Sequence, residues 1–175
     1  MVGYASTVTP RRLLIALICT QTALLGAWLA WRWQPERAVE MRFEAFCKAI
    51  SDRKPSKLEK LIDPAYADRW GMDRTTALRE GREILRHFFA LTLTPHDITV
   101  TPAPAPREWV VRARLRLSGT GSPIASLAEG EVNRLEAPWE FTWRRTDWRP
   151  WNWRLTRLDH PGIDLSRRHS AWGLD

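Results

Sequence analysis

No acidic residue precedes Glu36, although the 175-residue chain holds 20 of them. The first 35 residues therefore offer no carboxylate to act as acid, base or metal ligand. Cysteine is confined to Cys19 and Cys47. Two such distant residues, one in an apolar run, exclude a disulfide framework and a thiolate metal site. Glycine is sparse at nine residues, and neither a Gly-rich phosphate loop nor a nucleophile elbow occurs. The four histidines, His87, His96, His160 and His169, lack ligand spacing. Each is expected in a solvated or capping role, and no metal or cofactor is expected.

What the chain does contain is a run of 19 uncharged residues, Leu13 to Trp31, between Arg12 and Arg32. At 1.5 Å per residue such a helix covers roughly 28 Å, close to the ~30 Å hydrocarbon core of a bilayer. A cleaved secretory signal would also begin with Arg11 and Arg12, but it wants a shorter core followed by small residues. This run ends instead in Trp28, Trp31 and Trp33, the composition of a membrane-interface belt. The expectation is a retained single-pass anchor. Within it Ala16, Thr20, Ala23, Ala27 and Ala30 share one stripe, with Gln21 beside it as a hydrogen-bonding side chain. Small residues let membrane helices approach closely, so the stripe is a candidate packing surface, unless alanine is there simply as a common membrane residue.

The short basic tail before the anchor is typical of the cytoplasmic end of a signal anchor, which puts the remainder outside the cytoplasm, as in a periplasmic domain. The organisation expected is a tail over 1–12, a membrane helix over 13–33, one domain over 36–159 and a C-terminal tail over 160–175. Beyond Arg32 the net charge is only +4, on 24 basic and 20 acidic residues. A balance that small does not point to nucleic acid.

The domain opens with helical periodicity. Val39, Phe43, Phe46, Cys47 and Ile50 mark an amphipathic helix over 36–53, with Cys47 as packing. Ser56 and Glu59 fit a capping box for a short helix that closes near Asp63-Pro64. Thr75 or Thr76 caps a third, on which Leu78, Gly81, Leu85, Phe88 and Phe89 form one side before Pro95 stops it. From residue 96 the period drops to two, which predicts strands over 96–101, 107–118, 131–146 and 148–158. A Gly, Ser and Pro-containing connection precedes the third strand, and Thr146-Asp147 makes the last tight turn. Trp109, Val111, Ala113, Leu115 and Leu117 share one face, as do Trp139, Phe141 and Trp143, and Trp151, Trp153 and Leu155. One apolar and one wet face call for helices over the apolar side. The fold class is α+β: three helices packed on a curved four-stranded antiparallel sheet.

This order of elements resembles the nuclear transport factor 2-like superfamily, which includes ketosteroid isomerases and polyketide cyclases. The resemblance runs from Glu36 to about Asp159 and rests on element order, without a local motif. It implies a cone whose interior is either a ligand pocket or a filled core, in a family of enzymes and interaction modules alike. Five indoles, from Trp109, Trp139, Trp143, Trp151 and Trp153, each able to bury on the order of 200 Å², are ample to fill a small cone. The domain has one tyrosine, Tyr66, flanked by Asp63 and Asp68, so a base and a hydroxyl are formally present. Asp63 before Pro64 is more simply a helix-stop turn, and no catalytic position is carried over from the family.

The other distinctive surface is the outer sheet face, where Arg112, Arg114, Arg116, Arg144 and Arg154 project. Guanidinium forks suit carboxylates and phosphates, though Glu140 and Glu108 can neutralise part of the set. In the tail, Trp172 is either a frayed end or a docking anchor. The expectation is a non-catalytic accessory or assembly subunit, of the kind found in a bacterial inner membrane complex. Its partners would be the lipid bilayer and other membrane protein subunits. The alternative is a membrane-tethered, small-molecule-binding enzyme of isomerase or cyclase type.

Overall fold

The chain divides into two compact units, Met1–Gln34, which holds the uncharged run Leu13–Trp31, and Pro35–Asp175, which begins with the amphipathic sequence. The computed structural model describes residues 10–32 and 34–163, without the side chains of residues 10–13, 16, 30 and 32. In the first unit, helix α1 spans Pro10–Arg32. Leu14, Ile15, Leu17, Ile18, Leu24 and Leu25 on it are all exposed. Among the described residues no helix is long and apolar enough to cross a membrane. Leu13, Ala16 and Ala30, three members of the uncharged run, lie outside the described side chains.

The second unit begins with α2, Pro35–Ser51, whose Val39, Phe43, Phe46 and Cys47 are buried as helical spacing predicts, while Ile50 is only partly buried and Ala38 and Ala49 join the core. Burial pushes the Cys47 thiol up to about 12, so it stays protonated. Helix α3 spans Pro55–Leu61, and here the capping box is a correction. Lys54 is the N-cap and makes no side-chain cap bond. Pro55 instead occupies the first turn, where its missing N–H costs nothing. Helix α4, Arg74–Leu85, is capped by Asp73 rather than by either threonine. The Asp73 carboxylate accepts the Thr76 N–H at 2.8 Å.

Phe88 and Phe89 do not continue α4. They open strand β1, Phe88–Pro102, and split between faces, Phe88 1 % exposed and Phe89 74 % exposed. Strand β2 follows over Glu108–Gly121, then a helix the sequence pattern did not predict, α5 over Pro123–Arg134. Among the described residues the domain therefore has four helices, and residues 131–134 are helical. Strands β3, Trp139–Arg145, and β4, Trp153–Asp159, complete an antiparallel sheet of order β1-β2-β3-β4. Residues 146–152 form a wide loop between them, where a tight turn was expected. Asp147 holds it by accepting the Arg149 N–H and the Asn152 amide, each at 2.8 Å. Trp151 consequently lies outside the strand and is exposed.

Pro95 sits inside β1 without ending it. Leu93 and Pro95 face Leu117 and Leu115 across the ladder. The Leu93 N–H points away from β2, to the Ser51 hydroxyl at 2.9 Å. Two residues on, Pro95 shares that parity, so its missing N–H is one β2 never uses, as an edge strand allows. The Arg53 guanidinium also bonds the Phe88 carbonyl on this margin. At the opposite margin Ile62 makes a parallel bridge to Leu155, and Ala67 N–H donates to the Thr156 carbonyl at 3.1 Å.

Alternation along β2 is as predicted, with Val111, Ala113, Leu115 and Leu117 buried and Arg114 and Arg116 exposed. The helices cover that apolar face. Of the two roles expected for it, solvated or capping, His160 takes the second, being 1 % exposed. It packs on Trp139 with ring centroids 4.8 Å apart, bonds the Ala137 carbonyl through Nε2 at 2.9 Å and accepts the Gly162 N–H on Nδ1 at 3.0 Å. Trp70 Nε1 reaches the Ile163 carbonyl at 3.0 Å, so the first residues of the expected tail belong to the folded domain.

Candidate functional site

Inside the cone α2, which packs chiefly on β1, reaches β3 through aromatic rings. Phe43 and Phe46 approach Phe141 with centroids 4.9 and 5.8 Å apart, and Phe46 meets Trp143 edge-on at 6.3 Å. Such tilted and edge-to-face contacts are the favoured geometry for aromatic quadrupoles. Trp143 and Trp153 are fully buried, and Trp153 Nε1 donates to the Pro150 carbonyl at 2.8 Å. Trp109 and Trp139 pack against this core while partly exposed. Four of the five indoles thus fill or flank the interior. The Nε1 donors of Trp139 and Trp143 are buried without a partner among the described residues, each a cost of about 1–3 kcal/mol.

Tyr66, Asp63 and Asp68 lie on the α3–α4 connection, all buried. The Tyr66 hydroxyl donates to Asp68 at 3.3 Å. Burial first, and then the adjacent Asp68 charge, pushes its pKa up, so the phenol stays protonated. Asp68 also accepts the Trp70 and Met72 N–H groups at 2.9 Å each, closing a loop around Gly71, whose φ is +79°. Asp63 accepts the Ala65 N–H at 2.9 Å and pairs with Arg144 at 3.0 Å. Every one of these groups is spent on folding contacts.

The five arginines of the sheet face separate into two sets. Four ladder positions, about 13 Å, lie between Arg112, opposite Glu140, and Arg144, whose β2 partner is Glu108. Arg112 pairs with Glu140 at 2.6 Å and Arg114 with Asp97 at 3.3 Å. Arg114 and exposed Arg116 border an open cleft of about 490 Å³ with His96, Asp97, Asn133 and Glu136. Arg144 and Arg154 face each other across β3 and β4 and line a second cleft, of about 530 Å³. Arg107 and Arg145 line that cleft too. The sequence pattern did not single them out. Charges flanking two strand ends were the available signal.

On α1, Thr20, Gln21, Ala23 and Ala27 are exposed, as are Trp28 and Trp31. The side chains of Ala16 and Ala30, and the whole of Trp33, lie outside the described residues.

No family model and no curated protein matches this chain. Solved structures do. A candidate dehydratase of the nuclear transport factor 2-like family from Streptomyces avermitilis superposes with a TM-score of 0.52 at 18 % identity, over 70 % of this chain and 91 % of its own. A nuclear transport factor 2-like protein of unknown function in nutrient uptake from Rhodospirillum rubrum gives 0.50 at 22 %, over 69 % and 93 %. A candidate scytalone dehydratase from Novosphingobium aromaticivorans gives 0.51 at 14 %, over 79 % and 85 %. Four helices on a curved antiparallel sheet, with these neighbours, give the chain the nuclear transport factor 2-like fold.

Proposed function

We propose that this chain is a non-catalytic, single-pass membrane subunit whose domain docks a larger membrane protein complex. The observation that carries this is the filled cone: Phe43, Phe46, Phe141, Trp143 and Trp153 occupy the volume that a ligand would need. Tyr66, Asp63 and Asp68 are engaged with their own neighbours, which argues against the tethered isomerase or cyclase alternative. Function then falls to the outer surface and to α1.

Anchoring is supported by the 19 uncharged residues from Leu13 to Trp31 and by the exposed apolar side chains of α1. At 100° per residue its exposed large side chains spread over roughly 200° of the helix circumference. Water alone is a poor solvent for such a surface. The small residues, at 16, 20, 23, 27 and 30, fall on the remaining arc and suit a second membrane helix, with Trp28, Trp31 and Trp33 at the interface. The domain would lie on the extracytoplasmic side, with Arg116 and Arg154, and the ion-paired Arg112, Arg114 and Arg144 beside them, facing an acidic partner.

Gentle solubilisation from the native membrane, followed by identification of what co-migrates, tests this. A stoichiometric set of membrane proteins is expected, lost when Ala23 and Ala27 are replaced by leucine and weakened in a salt-dependent way by charge reversal at Arg114 and Arg144. Recovery as a monomer from the soluble fraction would overturn it.

A further inference from the structure

The cleft at the β3–β4 end carries more positive charge than its surroundings neutralise. Its charged lining is Arg107, Arg144, Arg145 and Arg154 against Asp63 and Asp147, an excess of two positive charges. Arg144 is paired with Asp63. Asp147 accepts the Asn152 amide and the Arg149 N–H, and at longer range the Arg149 and Arg154 charges also act on it. Among the described residues, no carboxylate lies within ion-pair distance of Arg107, Arg145 or Arg154. The Nε atoms of Arg145 and Arg154 are in addition buried and without a hydrogen-bond partner. Buried donors of charged groups left unpaired are costly, and like charges directly opposed on a ladder, as Arg144 and Arg154 are, repel.

The backbone holds this arrangement in place. Arg107 has a φ of +63°, a conformation unfavourable for a residue with a Cβ, and its carbonyl accepts the Arg145 N–H at 3.0 Å. Arg145 stands opposite Trp153 in the ladder and lies over its ring at 5.9 Å, so it borders the cleft from the face opposite to Arg154. The positions of these two arginines are thus set by strand pairing and by a buried indole, not by a carboxylate.

We propose that the cleft bounded by Arg107, Arg145 and Arg154 is a binding site for a phosphoryl dianion. Guanidinium forks bind phosphate oxygens in pairs. A cleft whose charged lining is net positive suits a phosphoryl dianion, which takes paired bonds from more than one fork, better than it suits a single carboxylate. The headgroup of an anionic phospholipid and a phosphate group in solution present the same chemistry. The proposal stands whether or not the domain is held at a membrane.

The test is calorimetric titration of the full chain, in neutral detergent and phosphate-free buffer, with inorganic phosphate, pyrophosphate, and short-chain phosphatidic acid against phosphatidylcholine of equal chain length. Saturable binding of at least one phosphoryl probe is expected below about 10 mM, with none of phosphatidylcholine. Arg154→Gln and Arg107→Gln should each weaken it about tenfold or more. Arg116→Gln, in the other cleft, should leave it unchanged. Arg107 is exposed, so its replacement reports on binding even where Arg154→Gln disturbs folding. Binding of phosphate or pyrophosphate identifies a soluble ligand, and binding of phosphatidic acid alone identifies a headgroup. No saturable binding of any probe, or binding equal in Arg107→Gln and the parent, overturns the site. Co-migration with a membrane complex is measured separately and can fail or succeed without altering this result.

Discussion

Asn133 on α5 acts as a strand for Leu117. Its Oδ1 accepts the Leu117 N–H and its Nδ2 donates to the Leu117 carbonyl, both at 2.8 Å. Strand β3 pairs with β2 only as far as Ala113 opposite Trp139, so the backbone groups beyond that point need another partner. Replacing Asn133 by alanine orphans both and is expected to destabilise the domain by about 2–4 kcal/mol. Urea unfolding followed by tryptophan fluorescence measures this, and hydrogen exchange should quicken at Leu117. A loss below about 0.5 kcal/mol would mean that the clamp contributes little.

The start of β1 fits against Gly121 with no room for a side chain. A Cβ there would lie 2.2 Å from the His87 carbonyl oxygen and 2.7 Å from Ala125 Cβ. Backbone and helix must both shift, and Gly121→Ala is expected to cost about 1–3 kcal/mol or more. Gly130, inside α5, has nothing within 4 Å of its Cβ position. Gly130→Ala should therefore be neutral or stabilise by up to about 1 kcal/mol. Equal thermal midpoints for the two variants would refute the difference.

The Asp73 cap gives α4 a dependence on acid. The Thr76 N–H, first, and the Thr76 hydroxyl hold the carboxyl below its ordinary value, with smaller help from Thr75 and Arg79 against an opposing burial effect. Because the folded value is the lower one, the stabilisation is present above the unfolded value. It is lost as pH falls through the folded one. The melting temperature of the parent should drop below about pH 4 more steeply than that of Asp73→Asn, which keeps an acceptor that does not titrate. Parallel profiles would exclude a titrating cap.

The sequence carried the sheet faces clearly and the element ends poorly. Arg112, Arg114 and Arg116 between Val111, Ala113, Leu115 and Leu117 admit only one period, and the buried set follows it. Phe88 and Phe89 fit the α4 stripe by spacing, yet pairing with β2 overrides it, since local pattern is silent on what a partner strand offers. Helix α5 buries only Ala125 and exposes Ile124 and Leu127, so its apolar stripe is too weak to read. Its available signal was Ser122-Pro123, a cap residue before a first-turn proline. The inward places of Trp143 and Trp153 were legible from alternation, whereas the exposure of Trp151 was not. The arginine cleft was legible only in half, through Arg144 and Arg154. The loop that brings Arg107 beside Arg145 is a long-range contact that no short window contains.

Ser51, Arg53 and Pro95 on one margin of the sheet, and Ile62 and Ala67 on the other, mean that a guest strand finds few main-chain groups to pair with on either side. Identical copies crowded side by side are thereby kept from fusing into a continuous ribbon. Side chains rather than main-chain groups are what these stretches of the two margins present to a partner.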